Sequence, residues 1–287
     1  MRGIAVLLMI EAHTLDAWTR PAARHGYLYR DATVLGGFAA PLFLWLAGAA
    51  VVLAATGAAG RSGSRTRGME IACRRGLEIF ILAFLFRLQG FIVTPGGAPV
   101  TLFRVDVLNI MGPSMVGVGL LWGAGRTVAV RVGACAAAAT AIAMLTPIVR
   151  ATALVGALPV WLQWYARPTG DLTIFTLFPW AGFVFAGGAV GALLAEAGDD
   201  RVERHLHVVL GAAGAGLIAL GFYAAGRPSI YRAASFWTSS PTWFAIRVGI
   251  LMVAVSAVYG VFATLAPSHR RRECASPRID PLARLGR

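Results

Sequence analysis

Charge is scarce in this 287-residue chain, and lysine is missing altogether. Charged side chains make up 14% of the sequence and hydrophobic ones 57%, and the mean hydropathy is +0.69. Soluble globular domains carry about 25% charged residues. These proportions exclude an ordinary soluble domain and predict a membrane protein.

Because lysine is missing, all 26 basic residues are arginine, and the formal net charge is +13. We interpret this preference first as genome composition and second as anion chemistry, since guanidinium groups bind phosphates and carboxylates bidentately. The arginines concentrate in loops on one side of the predicted bundle, as membrane topology requires. We therefore do not expect a nucleic-acid partner.

Cysteines and catalytic motifs are also sparse. Cys73, Cys135 and Cys274 lie far apart and have neither C-x-x-C spacing nor histidine partners. The sequence therefore predicts no metal site and no disulfide framework. No G-x-S-x-G, H-E-x-x-H or phosphate-binding glycine motif occurs, so a serine hydrolase or a metal hydrolase is not supported.

Long apolar runs dominate what is present. Each has about the length needed to cross a hydrocarbon core of ~30 Å. They cover residues 3–18, 33–57, 76–94, 105–124, 128–146, 173–195, 207–224 and 242–265. We predict an all-α polytopic transmembrane helix bundle of about eight spans over residues 1–266, followed by a polar, disordered tail over 267–287.

The loop arginines predict the orientation of this bundle. With alternating spans, sixteen loop and tail arginines fall on one side and eight on the other. The positive-inside rule then predicts that both termini are cytoplasmic. The loop 57–75 ends in Arg74 and Arg75, and it is a plain topology determinant, a cradle for a phosphorylated donor, or both.

The first span, RGIAVLLMIEAHTLDAW at 2–18, carries Glu11, His13 and Asp16 where lipid makes a charge expensive. Arg2 and His13 are separated by about 1100° of helix, which is about 20° from three whole turns, so both lie on one stripe roughly 16 Å apart. The arginine could hold an anionic donor while the imidazole handles a proton. The alternative is a packed span whose His13 bonds a neighbouring helix.

Further polar groups are predicted in the outer half of the bundle. Asp106 and Asn109 are three residues apart and share a face at the start of the fourth span. Arg87 in the antiparallel third span should meet Asp106 at a similar depth, as a structural salt bridge or as part of a site. Arg247 enters the eighth span near its outer end. The aromatic segment LPVWLQWY at 158–165 fits an interfacial belt, which we favour, or a cap over a pocket.

These groups form two layers. His13, Asp16, Arg87, Asp106, Asn109 and Arg247 belong to the outer half, and Arg2, Arg74, Arg75 and Glu78 to the inner half. A layer of ionic groups drawn from several spans predicts a site. Ion and proton pathways use the same device, so the layer alone does not distinguish an enzyme from a transporter.

Several segments resemble known membrane acyltransferases. RGIAVLLMIEAH at the N-terminus is similar to the opening of the broad acyltransferase-3 group. GGFAAPLFLWLAGAAV at 36–51 resembles the heparan-alpha-glucosaminide N-acetyltransferase family. RVDVLNIMG at 104–112 and FTLFPWAGFVFAGGAVG at 175–191 resemble later segments of that family. The resemblance covers most of residues 2–195, and two departures are the smaller number of spans and a start inside the first motif.

The resemblance implies an acyl-CoA donor, acetyl-CoA in the first place, held at the cytoplasmic side of a bacterial cytoplasmic membrane. Its acyl group would pass to a hydroxyl or amino group of a sugar or glycan-type acceptor across the bilayer. No metal is implied, membrane lipid is the expected surrounding partner, and a homo-oligomer is left open. The alternative is a multispan transporter or lipid-handling protein without acyl transfer.

Residue roles follow from the same resemblance. His13 and Arg2 match the acyltransferase-3 histidine and arginine, and His25 stands near the histidine position of the heparan-alpha-glucosaminide family. His13 is predicted as the general base, with His25 as second choice. The two predicted layers of polar groups, rather than the resemblance, give the remaining assignments: Asp16 or Asp106 to orient His13, Arg87, Asn109, Arg247 and His25 to bind substrate, and Arg2, Arg74 and Arg75 to bind donor phosphates.

Overall fold

The structure is a computed structural model that describes residues 1–94, 96–169, 173 and 175–265. The predicted tail over 267–287 lies outside the described residues. The helices are α1 (Arg2–Trp18), α2 (Tyr27–Gly36), α3 (Ala39–Ser62), α4 (Arg65–Val93), α5 (Val107–Ala124), α6 (Val128–Ala151), α7 (Val160–Ala166), α8 (Leu177–Leu194), α9 (Asp200–Ala225) and α10 (Pro241–Leu265). Short 3-10 turns join some of them.

The predicted all-α transmembrane bundle is confirmed. Seven helical segments in the described part are long and apolar enough to cross a membrane, and one of them runs through α2 and α3 from Tyr27 to Ser62. The prediction of about eight spans differs by α1. Its 17 residues rise about 26 Å, which is short of a ~30 Å core. It lies against α2 and α3.

Loop contacts define the two ends of the bundle. At one end the α3, α4, α5 and α6 termini meet, since Trp122 Nε1 donates to Thr56 Oγ1 at 3.2 Å and Arg65 and Arg131 both donate to the Gly125 carbonyl oxygen. We call this the arginine-rich end. At the other end, the Tyr231 hydroxyl donates to the Met144 carbonyl oxygen at 2.8 Å. We call this the opposite end.

Glycines let the central helices pack backbone against backbone. A Cβ on Gly48 of α3 would collide with the carbonyl oxygen of Val184, and one on Gly187 of α8 would collide with that of Trp45. Helices α4 and α5 meet in the same way, because Cβ atoms on Gly76 and Gly112 would each lie 2.7 Å from the other glycine's oxygen. In a bilayer, small residues promote association by allowing this close approach.

Helices α9 and α10 form a hairpin that packs chiefly on itself. A Cβ on Gly214 would lie 2.7 Å from the Gly249 oxygen, and one on Gly221 would lie 2.5 Å from Ile246. The hairpin meets the rest of the bundle through α6 and α8. Phe244 of α10 contacts Phe183 of α8, with ring centroids 4.6 Å apart.

Candidate functional site

A polar cluster lies between α4, α5 and α7, toward the opposite end. Arg87 Nη2 donates to Asp106 Oδ2 at 2.9 Å, and the two side chains are 27% and 30% exposed. The expected contact between the third and fourth spans is therefore confirmed. An unpaired charge in a membrane is costly, so each side chain of this sheltered ion pair depends on the other as its partner.

The start of α5 positions the carboxylate. Asp106 is the N-cap of this helix, and its Oδ1 accepts from the Leu108 amide at 3.0 Å. Asn109 completes a capping box, since its Oδ1 accepts from the Asp106 amide at 3.1 Å. A capping box satisfies amide groups that a helix start leaves unpaired. The Asp106 carboxylate thus caps α5 with one oxygen and binds Arg87 with the other.

Helix α7 covers this cluster with two aromatic side chains. Trp164 is 3% exposed and packs with Val105 and Ile110, the neighbours of Asp106 and Asn109. The Tyr165 phenol lies beside Asn109: burial raises the pKa of Tyr165, contact with Asn109 lowers it, and the Asp106 charge raises it. Within the aromatic segment, Trp164 and Tyr165 therefore cover the polar groups. Trp161 of the same segment remains 43% exposed.

Three buried donors around Asp106 have no hydrogen-bond partner within the described part of the chain: Arg87 Nε, Asn109 Nδ2 and Trp164 Nε1. Buried donors are nearly always paired in folded proteins. These three unpaired donors come from three helices. Together they form a site that could bind the oxygen atoms of a ligand.

Helix α1 turns a different face to the bundle from the one that the sequence suggested. Arg2 and His13 do share one stripe, but both are exposed. His25 is also exposed. The Asp16 side chain is 80% exposed and lies 3.6 Å from Arg24, which also donates to the Asp16 carbonyl oxygen at 2.6 Å. The structure thus brings Arg87, Asp106 and Asn109 together, and does not bring His13 to Asp106.

Glu11 is the ionisable residue of α1 that faces protein. Its Oε2 is buried without a partner in the described residues, and a Cβ on Gly36 would lie 2.6 Å from that oxygen. Sequence analysis noted Glu11 but gave it no role. The signal that would have found it is the spacing of Ala5, Leu8, Ala12 and Leu15, which marks the packed face of the helix and includes position 11.

Arg247 of α10 reaches Gly37, the residue after Gly36. Its Nη2 would lie 3.7 Å from a Cβ on Gly37, and its guanidinium stacks over the rings of Phe38 and Trp243 at 5.8 and 4.9 Å. Its buried Nε has no partner among the residues described. A cavity of about 210 Å³ between α1 and α2 includes both Gly36 and Gly37 in its lining. Glu11 and Arg247 thus flank a second polar locus.

Comparison with known proteins assigns the chain. The family model described as heparan-alpha-glucosaminide N-acetyltransferase, catalytic, matches residues 1–228. The chain belongs to this N-acetyltransferase family. No curated protein and no solved structure matches the chain.

The matched part of the chain includes α1 and the whole Arg87–Asp106–Asn109 cluster, whereas α10 with Arg247 follows it. The predicted resemblance to the family is therefore confirmed. In the part of the chain that the structure describes, no three His, Cys, Asp or Glu side chains are grouped to hold a metal ion.

The predicted donor-binding arginines are Arg2 at the start of α1 and the neighbours Arg74 and Arg75 of α4. Arg2, Arg74 and Arg75 are exposed. Arg74 Nε pairs with Glu78 Oε1 at 2.9 Å, one turn along α4. Arg131 has a structural role, because it stacks on Trp122 at 4.5 Å and binds the Gly125 carbonyl oxygen.

Arg150, in the last turn of α6, has a structural role. It donates to the Phe178 carbonyl oxygen at 2.7 and 3.2 Å, to Thr176 Oγ1 at 3.1 Å and to the Thr238 carbonyl oxygen at 3.0 Å. These bonds tie α6 to the start of α8 and to the loop before α10. A guanidinium has the several donors that such a junction needs.

Proposed function

We propose that this protein is an integral membrane acyltransferase. It transfers an acyl group, in the first place acetyl, from acyl-CoA at the arginine-rich end to a hydroxyl or amino group of a sugar-type acceptor at the opposite end. The observation that carries this proposal is the Arg87–Asp106–Asn109 cluster with its unpaired buried donors, inside a bundle of the N-acetyltransferase family. Ionic groups within a membrane are costly and typically serve substrates or ions.

The reaction requires particular groups. The thioester carbon–sulfur bond breaks, a bond from the acyl carbon to the acceptor oxygen or nitrogen forms, the acceptor loses a proton and the sulfur gains one. Negative charge develops on the acyl oxygen, which donors such as Arg87 Nε, Asn109 Nδ2 and Trp164 Nε1 could stabilise. The Tyr165 hydroxyl beside Asn109 is a further donor, and burial raises its pKa from the ordinary value.

The general base is proposed to lie on or just after α1. His13 is the first candidate and His25 the second, and both are exposed. An acceptor that uses His13 would therefore approach along the outer surface of α1, with Asp16 three residues away. Glu11 is the alternative for an acceptor that enters between α1 and α2, because its free carboxylate oxygen faces that side.

The donor is proposed to bind through its phosphates at Arg2, Arg74 and Arg75, since guanidinium groups bind phosphate oxygens in a bidentate manner. A phosphate at Arg74 would compete with Glu78. The arginine excess at this end supports a cytoplasmic location for it by the positive-inside rule. The acyl group then crosses the bilayer within the bundle.

The test uses the full chain in lipid nanodiscs with acetyl-CoA and glucosamine, and measures N-acetylglucosamine by mass spectrometry. We expect product, and we expect coenzyme A to raise the melting temperature, as a ligand of the native state does. Loss of the general base should lower the rate by about 10²–10⁴. The variants are His13→Ala, His25→Ala and Glu11→Gln, and His205→Ala on α9 is the control.

The outcomes separate the proposals. Unchanged rates in both histidine variants would refute the histidine assignment, and a loss in Glu11→Gln alone would transfer the role to the carboxylate. If millimolar coenzyme A left the melting temperature unchanged while vesicles took up sugar without forming product, the protein would be a transporter and the acyltransferase proposal would be wrong.

A further inference from the structure

An apolar cleft separates α6 and α8 from the α9–α10 hairpin. Its volume is about 550 Å³, and all four helices line it. The lining includes Ala139 and Ala143 of α6, Ala186 of α8, Leu217 of α9 and Val248 of α10. Thr140 and Thr242 contribute the only polar side chains among the described residues that line it. No part of the candidate acyl-transfer site belongs to this lining.

Small residues line the cleft without closing it. Between α3 and α8, glycines bring the two backbones into contact. Ala136, Ala139 and Ala143 follow one face of α6 at helical spacing, yet the space beside them stays open. Fixed contacts hold this arrangement at the opposite end, where Tyr231 binds the Met144 carbonyl oxygen at 2.8 Å and Arg150 binds that of Thr238 at 3.0 Å.

The position of the cleft indicates its occupant. Along α9 it extends from Leu210 to Ala224, which is about 21 Å, or two thirds of a ~30 Å hydrocarbon core. Apolar cavities of this kind exclude water and accept apolar molecules. An alkyl chain would regain the dispersion contacts that the open space forgoes. Exposed side chains of Thr140, Met144 and Leu220 at the edge between α6 and α9 give access from the bilayer.

A polar neighbour adjoins the cleft at the opposite end. A second cavity of about 670 Å³ shares Met144 with the cleft and is lined by Tyr231 and Arg232. Arg232 is exposed, and no ion pair engages it within residues 175–265 or the other described ranges. A guanidinium at this position suits a phosphate group.

We propose that the cleft binds one alkyl chain of an anionic phospholipid, which enters sideways from the bilayer and places its phosphate beside Arg232. The chain lies between α6 and α9 and passes Met144. The site is independent of acyl transfer, because its lining contains none of the residues assigned to the donor, the acceptor or the base.

The test uses the full chain in nanodiscs that contain phosphatidylglycerol with a photoreactive diazirine midway along one chain. After irradiation, mass spectrometry locates the adducts, which we expect on 136–144 of α6 and on 217–221 of α9. Ala245→Phe and Ala136→Phe fill the cleft. Each should lower labelling at these segments about tenfold, which corresponds to the contacts of about two methylene groups.

The matched control is Ala137→Phe, because Ala137 is an exposed neighbour on α6 outside the lining, and its labelling should equal that of the wild type. Melting curves show whether either cleft-filling variant fails to fold. If one does, labelling is measured on the other variant alone. Arg232→Gln should reduce labelling by phosphatidylglycerol but not by phosphatidylcholine. Labelling spread over all lipid-facing helices, or unchanged by both filling variants, would overturn the site. Equal labelling by the two lipids would overturn the phosphate contact.

Discussion

The Asp106 side chain serves the helix and the ion pair at once, so substitutions there must keep one role to test the other. Asn is as good an N-cap as Asp, and Asp106→Asn therefore removes the charge while retaining the cap. Arg87→Met removes the other partner but keeps an apolar chain of similar length. Together these variants isolate the ion pair.

We predict that Arg87→Met and Asp106→Asn each destabilise the protein by about 2 kcal/mol, because each leaves a sheltered charge without its partner. The double variant should lose less than the sum, since it leaves no unpaired charge. Thermal melting in nanodiscs measures all four proteins. Additive losses would mean that the 2.9 Å contact contributes nothing to stability.

Sequence reasoning worked for this pair and failed for α1, for reasons that lie at the residue scale. Arg87 and Asp106 belong to consecutive antiparallel spans, so counting residues from the loop gives both depths. On α1, helical periodicity correctly aligned Arg2 with His13, but periodicity does not state which stripe faces the bundle. The packing of Ala5 and Leu8 decides that, and it turns Glu11 inward instead.

At the scale of elements, the α3–α8 contact depends on glycines whose α-hydrogens meet a neighbouring backbone. Trp45 and Val184 present carbonyl oxygens at these points, and a backbone cannot swing aside as a flexible side chain can. Gly133 on α6 is the opposite case, because a Cβ built on it meets nothing within 4 Å. Gly187 of α8 and Gly133 of α6 therefore form a matched pair for substitution by alanine.

We predict that Gly187→Ala destabilises the protein by about 1–3 kcal/mol, as overpacking of a close contact does. Gly133→Ala should be neutral or stabilising by up to about 1 kcal/mol, because alanine favours a helix over glycine. Both follow from melting temperatures under identical conditions. Equal effects at the two positions would show that the α3–α8 contact adapts to an added methyl group.

At the scale of the whole molecule, a sequence of this composition predicts a bundle of membrane helices, but not how its parts divide. Within the glycine-rich stretch 211–221, Gly214 and Gly221 pack on α10. On the alanine-rich stretch 133–143, Ala139 and Ala143 are buried and line the cleft together with Ala136, beside which the space stays open. Small side chains permit contact, and the crossing of the helices decides whether it occurs.

The junction of the α9–α10 hairpin with the bundle gives the last prediction. Arg150 binds the Thr238 carbonyl oxygen of the hairpin and also Thr176 and Phe178 at the start of α8. Hydrogen bonds from a charged donor contribute about 1.5–3 kcal/mol each in net stability, and Arg150→Met loses them while keeping an apolar stem. We predict that the free energy of unfolding falls by about 2–4 kcal/mol. Relative to the wild type, hydrogen exchange should accelerate more in the loop 228–240 than in α3 or α8.

The control is Arg227→Met, because the Arg227 side chain contacts Tyr223 of α9, the helix that precedes it, at 2.7 Å to the hydroxyl and 4.7 Å to the ring centroid. Its removal should leave the melting temperature and the exchange in α8 unchanged. If Arg150→Met behaved like this control, Tyr231 and the Phe183–Phe244 contact would suffice to hold the hairpin. The cleft would then keep its width without the Arg150 hydrogen bonds, and the lipid-labelling pattern should be the same in Arg150→Met as in the wild type.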